Sequence, residues 1–171
     1  RAIVATARGE RHHHHTAWER FLATGPLALL PLPGRECSIV WSALDARAAA
    51  LLALSPAAFA EELTVASAGV LGRLELTSKR AAFPLRRLAA ADYVVARAAL
   101  VGDAAHVIHP LAGQGVNQGL EDAVALAAAL SQRPARESVG ALQALQRYAR
   151  ERRAGNALAG AMIDGLDRIF T

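Results

Sequence analysis

Apolar residues recur along this chain in two rhythms, one that suits strands and one that suits helices. Residues 2–7 alternate weakly, and residues 27–32 and 38–42 are short β-favouring runs joined across Pro33-Gly34-Arg35-Glu36. Alternation and short apolar runs bounded by Gly and Pro predict strands, with a hairpin turn between the second and the third. Gly9 and Glu10 close the first strand. Ser55-Pro56 opens the other rhythm. Serine suits an N-cap and proline the first helical position, Glu61 and Glu62 lie nearby, and Phe59, Leu63, Ala66 and Val70 fall on one face. Residues 74–83 predict a further strand ending at Pro84, and most of Arg73, Lys79, Arg80, Arg86 and Arg87 predict a solvated basic rim.

In the second half, Tyr93, Val94, Val95, Leu100 and Val101 predict a buried strand that stops at Gly102-Asp103, residue types that end strands and turn the chain. A loop with Pro110, Gly113 and Gly115 follows, and from about Val116 the positions Leu120, Val124, Ala127 and Leu130 recur at helical spacing. Residues 138–170 predict another helix, apolar at Leu142, Leu145, Ala149, Leu158, Met162, Leu166 and Ile169 and broken or bent at Gly155 and Gly160.

The strand, loop and helix around Asp103 have a chemical use. The strand end delivers a carboxylate suited to accept hydrogen bonds from sugar-like hydroxyls. The first amides of the following helix lack intrahelical acceptors and carry partial positive charge, so an anion or an electron-rich carbonyl sits well against them. Gly113 and Gly115 let a flat ligand approach the backbone, and Asn117 can both donate and accept. Any one of these residues alone reads as a turn glycine or a helix cap; the array together reads as a ligand site.

Those residues also carry a resemblance. Gly102-Asp103-Ala104-Ala105-His106, with His109-Pro110-Leu111-Ala112-Gly113-Gln114-Gly115-Val116-Asn117-Gln118-Gly119-Leu120-Glu121-Asp122, resembles the second flavin-binding motif of FAD-dependent aromatic hydroxylases. It is most similar to the ubiquinone-biosynthesis group, UbiH/UbiF/COQ6. Residues 17–32 (AWERFLATGPLALLPL) and 80–85 (RAAFPL) agree, so the resemblance covers nearly the whole chain.

The resemblance implies an α/β (α+β) fragment, the C-terminal part of a glutathione-reductase-like FAD-binding fold plus the β-sheet of the substrate domain. Residues 1–92 would belong to the substrate domain and 93–171 to the FAD-binding domain. It implies FAD as cofactor, with Asp103 holding the ribityl hydroxyls and the Pro110 carbonyl near the flavin ring. Gly115, Val116 and Asn117 would stabilise negative charge at the flavin N1 and C2 carbonyl region, with Gly102, Gly113 and Gln114 completing the contact. It implies NAD(P)H as electron donor and O2 as co-substrate in hydroxylating an electron-rich, polyprenylated phenol. No general acid or base is assigned: His106 and His109 lie in the motif, and packing and catalysis are equally open to them. A homo-oligomer or a multienzyme complex is compatible with this group.

A G-x-G-x-x-G turn, which would hold the dinucleotide pyrophosphate at a helix N-terminus, does not occur. With Met162 the sole methionine, the expectation is the C-terminal part of a longer flavoprotein, holding only part of the FAD site and inactive alone. The rival class is a non-catalytic binding or scaffold protein that keeps the second flavin motif.

Composition narrows the remaining choices. At 171 residues and 53% hydrophobic, the chain can bury a real core. A net charge of +4 permits nucleic-acid or anionic-membrane contact, but 5% aromatic content and no nucleic-acid motif argue against base recognition. The single cysteine, Cys37, excludes an intramolecular disulfide and fits a reducing compartment. With no signal peptide or membrane-length apolar run, the expectation is a cytoplasmic protein. Arg147, Arg150, Arg152 and Arg153 could meet lipid headgroups at the inner membrane, where prenylated rings reside; a surface helix with salt partners such as Glu151 is the commoner explanation. His12-His13-His14-His15 has no carboxylate or cysteine at ligand spacing, so no metal site is assigned, and His13 matches a single histidine common in the group.

Overall fold

A computed structural model of the chain describes residues 1–86, 88–107 and 114–170, without the side chains at 114 and from 157 onward. The chain divides into two compact units, Arg1–Leu85 and Arg86–Arg168.

The first unit is an antiparallel sheet with helices on one face. Strand β1 (Ala2–Gly9) pairs with β4 (Glu36–Ser42), and β3 (Gly25–Pro31) and β2 (Trp18–Leu22) follow outward; β5 (Leu74–Leu76) and β6 (Ala81–Phe83) share the other edge of β1. Register sets Ile3 and Leu27 opposite Trp41, and Ala5 and Leu29 opposite Ile39. Alternation then puts Ile3, Ala7, Leu27, Leu29, Ile39 and Trp41 on one face, all buried, against Ala48 and Leu51 of helix α1 (Asp45–Ala53) and Phe59 and Leu63 of α2 (Pro56–Ala66). Burying each large side chain stabilises by about 1.5–3 kcal/mol. The Ser55-Pro56 reading holds: the Ser55 hydroxyl accepts from the Ala58 N–H at 3.2 Å. Strand β2 and helix α1 were not anticipated.

Two expectations fail here. Residues 74–83 are two strands, because residues 77–80 stand opposite only Ala5 and Thr6 of β1. The Ser78 hydroxyl accepts from the Thr6 N–H at 2.7 Å, replacing the ladder bond a continuous strand would make. The two surplus residues preserve which side chains face the core. Arg80 is not a solvated rim residue either. Its guanidinium donates to the Leu51 and Leu54 carbonyls at 2.9 and 2.6 Å, capping the end of α1, and lies 4.9 Å from the Phe59 ring centroid.

The second unit is helical with short strand pairs. Strand β7 (Leu88–Ala89) pairs with β10 (His106–Val107), β8 (Val94–Val95) pairs with β9 (Ala98–Ala99), and α3 (Gln114–Ser131) and α4 (Leu142–Phe170) supply the bulk. Its core is Tyr93, Ala105, Ala125, Ala129, Tyr148 and Ala149.

Again two expectations fail. The strand expected over 93–101 is a hairpin, β8 and β9, reversed at Ala96-Arg97 with Arg97 at φ 68°; Val95 is exposed, and Leu100 and Val101 lie outside any strand. No Gly, Pro or Asn announces this turn. Tertiary contact holds it, through the Arg97 N–H donating to the Gly140 carbonyl at 3.0 Å, with Gly140 so close that a Cβ there would come 3.0 Å from the Arg97 Cγ. Helix α4 also continues through Gly155 and Gly160, so of the break or bend expected there the break does not occur. Gly155 costs the helix about 1 kcal/mol relative to alanine, which the packing of Leu145, Tyr148, Ala149 and Arg152 on the preceding turns outweighs.

Candidate functional site

Three segments of the second unit converge on the Gly102-Asp103 pair. A 3-10 turn (Gly102–Ala104) begins with Gly102 at φ 60°, a conformation that favours glycine. The turn rests on α3 backbone to backbone, the Gly119 Cα lying 3.7 Å from where a Gly102 Cβ would sit. Gly119 is four residues along from Gly115, so the turn lies about 6 Å along the axis from the first turn of α3. The Asp103 carboxylate is exposed and has no hydrogen-bond or ion-pair partner among the described residues.

Behind the turn is a buried polar hub. Asp122, fully buried on α3, accepts from the Gly102 N–H at 2.8 Å, from His106 Nε2 at 2.6 Å and from Arg152 Nε at 2.6 Å. Burial alone would raise the Asp122 pKa, but the hydrogen bonds from Arg152, Gly102 and His106 outweigh it and hold the carboxyl below its ordinary range. An ionised carboxylate only accepts, so His106 Nε2 carries a proton. Arg152 also pairs with Glu121 at 3.0 Å and donates to Asn156 Oδ1 at 3.1 Å, and Asn156 donates to the Tyr93 hydroxyl at 3.3 Å. The Tyr148 hydroxyl donates to the Leu100 carbonyl at 2.6 Å, just ahead of the turn, and burial pushes its pKa up to about 12.

This hub was not anticipated. In the sequence Asp122 stands only at the end of the motif, and Arg152 reads as one of a cluster of surface cations. Of the four helical arginines, Arg147 pairs with Glu137, Arg152 is buried on Asp122, and Arg153 pairs with Asp92 beside the Tyr93 ring. His106 is packed and hydrogen-bonded; His109 lies outside the described residues.

The other sequence-predicted positions divide in the same way. Pro110 and Gly113 lie outside the described residues, as does the Gln114 side chain; the Gln114 backbone begins α3. Val116 and Asn117 are exposed on the first turn of α3. Apart from its chain neighbours and its own helix backbone, no described atom lies within 4 Å of where a Gly115 Cβ would sit, and Gly115 has no positive φ. Neither turn geometry nor packing among the described residues requires this glycine. Gln118, its neighbour on the inner side, is buried with Oε1 lacking a partner among the described residues.

The histidine run is held locally. His13 is buried, with Nε2 2.9 Å from the Leu32 carbonyl and Nδ1 accepting from the His15 N–H at 3.0 Å. Among the described residues, no three His, Cys, Asp or Glu side chains are grouped to hold a metal ion. A cavity of about 240 Å³ opens in the first unit between Trp18, Leu27, Leu29, Ala68 and Val70. It contains none of the sequence-predicted site residues.

A family model described as an FAD binding domain matches residues 5–160. The chain belongs to this FAD-binding family. Ubiquinone hydroxylase UbiL of Rhodospirillum rubrum is 42% identical over 172 residues, covering 99% of this chain and 40% of that protein. The human mitochondrial ubiquinone biosynthesis monooxygenase COQ6 is 34% identical over 206 residues, covering 99% and 44%. The chain thus spans less than half the length of these relatives. PqsL of P. aeruginosa, solved in complex with 2-aminobenzoylacetate, is similar with a TM-score of 0.71 at 26% identity, over 94% of this chain and 45% of that one. The flavin-dependent halogenase CmlS, at 19% identity and a TM-score of 0.70 over 90% and 29%, shares the fold. The mixed α/β architecture with an antiparallel sheet is therefore the fold of FAD-dependent monooxygenases and halogenases.

The residues present fit part of an FAD site. The Asp103 carboxylate, exposed and without a partner among the described residues, and the first turn of α3 with its open Gly115 are the features compatible with the flavin contact that the motif implies.

Proposed function

We propose that this chain forms part of an FAD-dependent monooxygenase that hydroxylates an electron-rich, polyprenylated phenol in ubiquinone biosynthesis, with NAD(P)H as electron donor and O2 as co-substrate. Similarity to UbiL and COQ6 supports the substrate class. The single observation that carries the site is the Asp103 carboxylate, exposed and without a partner among the described residues, on a turn that rests on α3 at Gly119.

Bound FAD supplies the redox chemistry that activates O2. Asp103 accepts hydrogen bonds from the ribityl hydroxyls. The first-turn amides of α3, at Gly115, Val116 and Asn117, would stabilise negative charge on bound flavin. Gly115 leaves room for the ring, and Gly102 gives the turn its shape. Pro110, Gly113 and Gln114 keep their assignment as cofactor contacts.

The first unit supports an apolar substrate. The sheet face away from α1 and α2 carries Val4, Ala28, Leu30 and Val40, half-buried or exposed, with Thr6 and Ser38 between them. No described helix is long and apolar enough to cross a membrane. Peripheral contact with the inner membrane is part of the proposal because a polyprenyl chain partitions into lipid. Of the helical basic cluster, Arg150 is left without an ion pair among the described residues.

Asp103→Ala in the full-length enzyme tests the site. Loss of a charge-assisted hydrogen bond of about 1.5–3 kcal/mol weakens FAD by roughly 10- to 150-fold per bond. Unchanged FAD affinity in a titration of the apo variant would return Asp103 to a plain turn residue. NAD(P)H-dependent hydroxylation of a polyprenylated phenol by the same full-length protein tests the activity.

A further inference from the structure

The geometry points to Asp122 as the residue that positions the cofactor turn: its buried carboxylate holds the Gly102 N–H, and through it the direction in which Asp103 is presented. This inference rests on the reading that FAD binds at Asp103. Gly102 is the residue whose positive φ sets the turn, and its N–H donates to Asp122 Oδ2 at 2.8 Å. The same oxygen takes His106 Nε2 at 2.6 Å from β10, and Oδ1 takes Arg152 Nε at 2.6 Å from α4. One carboxylate on α3 therefore fixes the turn, the strand after it and the neighbouring helix together.

A purely stabilising role does not account for the arrangement. Buried ion pairs seldom improve on apolar residues of the same volume, because desolvation consumes the Coulombic gain. What an apolar cluster cannot do is fix the direction of the backbone N–H of Gly102, the positive-φ residue that begins the turn. The surrounding bonds serve the same end. Arg152 is itself held by Glu121 and Asn156, Asn156 reaches the Tyr93 hydroxyl, and the Tyr93 ring stacks on His106 at a centroid distance of 6.0 Å. The carboxylate has little freedom to turn away from Gly102.

The test is a double-mutant cycle on FAD binding by the full-length apo enzyme: wild type, Asp103→Ala, Asp122→Asn and the pair, with thermal melts of each apo form and visible circular dichroism of the bound flavin. If Asp122 acts by presenting Asp103, Asp122→Asn weakens FAD about tenfold when Asp103 is present, changes the flavin dichroism, and adds little in the Asp103→Ala background. The same fold-loss in both backgrounds overturns the positioning role and leaves Asp122 a structural residue. Should Asp122→Asn fail to fold, Arg152→Lys replaces it in the cycle. It keeps the positive charge beside Asp122 but loses the guanidinium's second hold, and a several-fold loss of FAD affinity confined to the Asp103 background is again required. A wild-type-like FAD affinity for Asp103→Ala alone overturns the underlying site reading along with this one, whereas an Asp103 effect with additive Asp122 overturns this one only.

Discussion

Replacing glycine by alanine should act in opposite senses at Gly102 and Gly115. Gly102 sits at φ 60°, and a Cβ there would meet only the Gly119 Cα, at an ordinary 3.7 Å. The cost of Gly102→Ala is therefore conformational, about 1–2 kcal/mol for a left-handed alanine. Gly115 lies in the first turn of α3 with no positive φ and, apart from its chain neighbours and its own helix backbone, no described atom within 4 Å of its missing Cβ. Alanine there removes unfolded-state freedom and improves helix propensity, so the apo fold should gain up to about 1 kcal/mol. If Gly115 exists to let the flavin approach, the same variant should lose FAD affinity by tenfold or more, about 1.4 kcal/mol. Urea unfolding of the apo full-length variants beside FAD titrations reads both quantities. A Gly115→Ala protein destabilised by about 1 kcal/mol or more, with near-normal FAD affinity, refutes the reasoning and returns this glycine to the turn.

Two further outcomes follow from the described contacts. Arg80→Met removes two bonds to the carbonyls at the end of α1 and the contact with the Phe59 ring. Urea unfolding should show a loss of about 2–4 kcal/mol, with Arg80→Lys recovering less than half; a loss below about 0.5 kcal/mol would mean that water replaces the cap. The Asp122 carboxyl is held below its ordinary range in the folded chain, so its stabilising contribution is complete above its unfolded value near pH 4. That contribution is lost as the pH falls from the unfolded value through the lower folded one, so below about pH 4 the wild type should lose more stability than Asp122→Asn. Parallel acid limbs for the two proteins would show that the hub does not titrate with folding.

The sequence made legible what local chemistry decides. Ser55-Pro56 started α2 because a hydroxyl acceptor and a fixed φ act within three residues, and the alternation in β1, β3 and β4 followed from one buried face. The failures share a cause in distant partners. Ala96-Arg97 turns because Gly140 accepts its N–H, residues 77–80 bulge because Ser78 satisfies Thr6, and Gly155 stays helical because its neighbours on α4 pack. Strand β2 escaped notice because it is an edge strand, with four of its five residues exposed and so no buried face to impose a rhythm. Arg80 and Arg152 read as rim charges because nothing local names carbonyls or a carboxylate many residues away as their partners.

Helix α3 makes the same point in the opposite direction. Its aliphatic positions Val116, Leu120 and Val124 are 74%, 62% and 69% exposed, while Gln118 and Asp122 are buried beside Ala125 and Ala129. A hydrophobicity reading finds the helix and picks the wrong face. Burying Asp122 is tolerable only because three donors meet its two oxygens, and those donors come from the segments that frame the Gly102 turn. The polar residues of the motif thus separate by direction rather than by type. Gln118 and Asp122 face inward, where Asp122 holds the scaffold, while Asp103 and Asn117 face outward, where a ligand can reach them. Asn117 and Gln118 are adjacent amides of nearly the same chemistry, and a single helical step of about 100° turns one to the exposed side and the other to the interior.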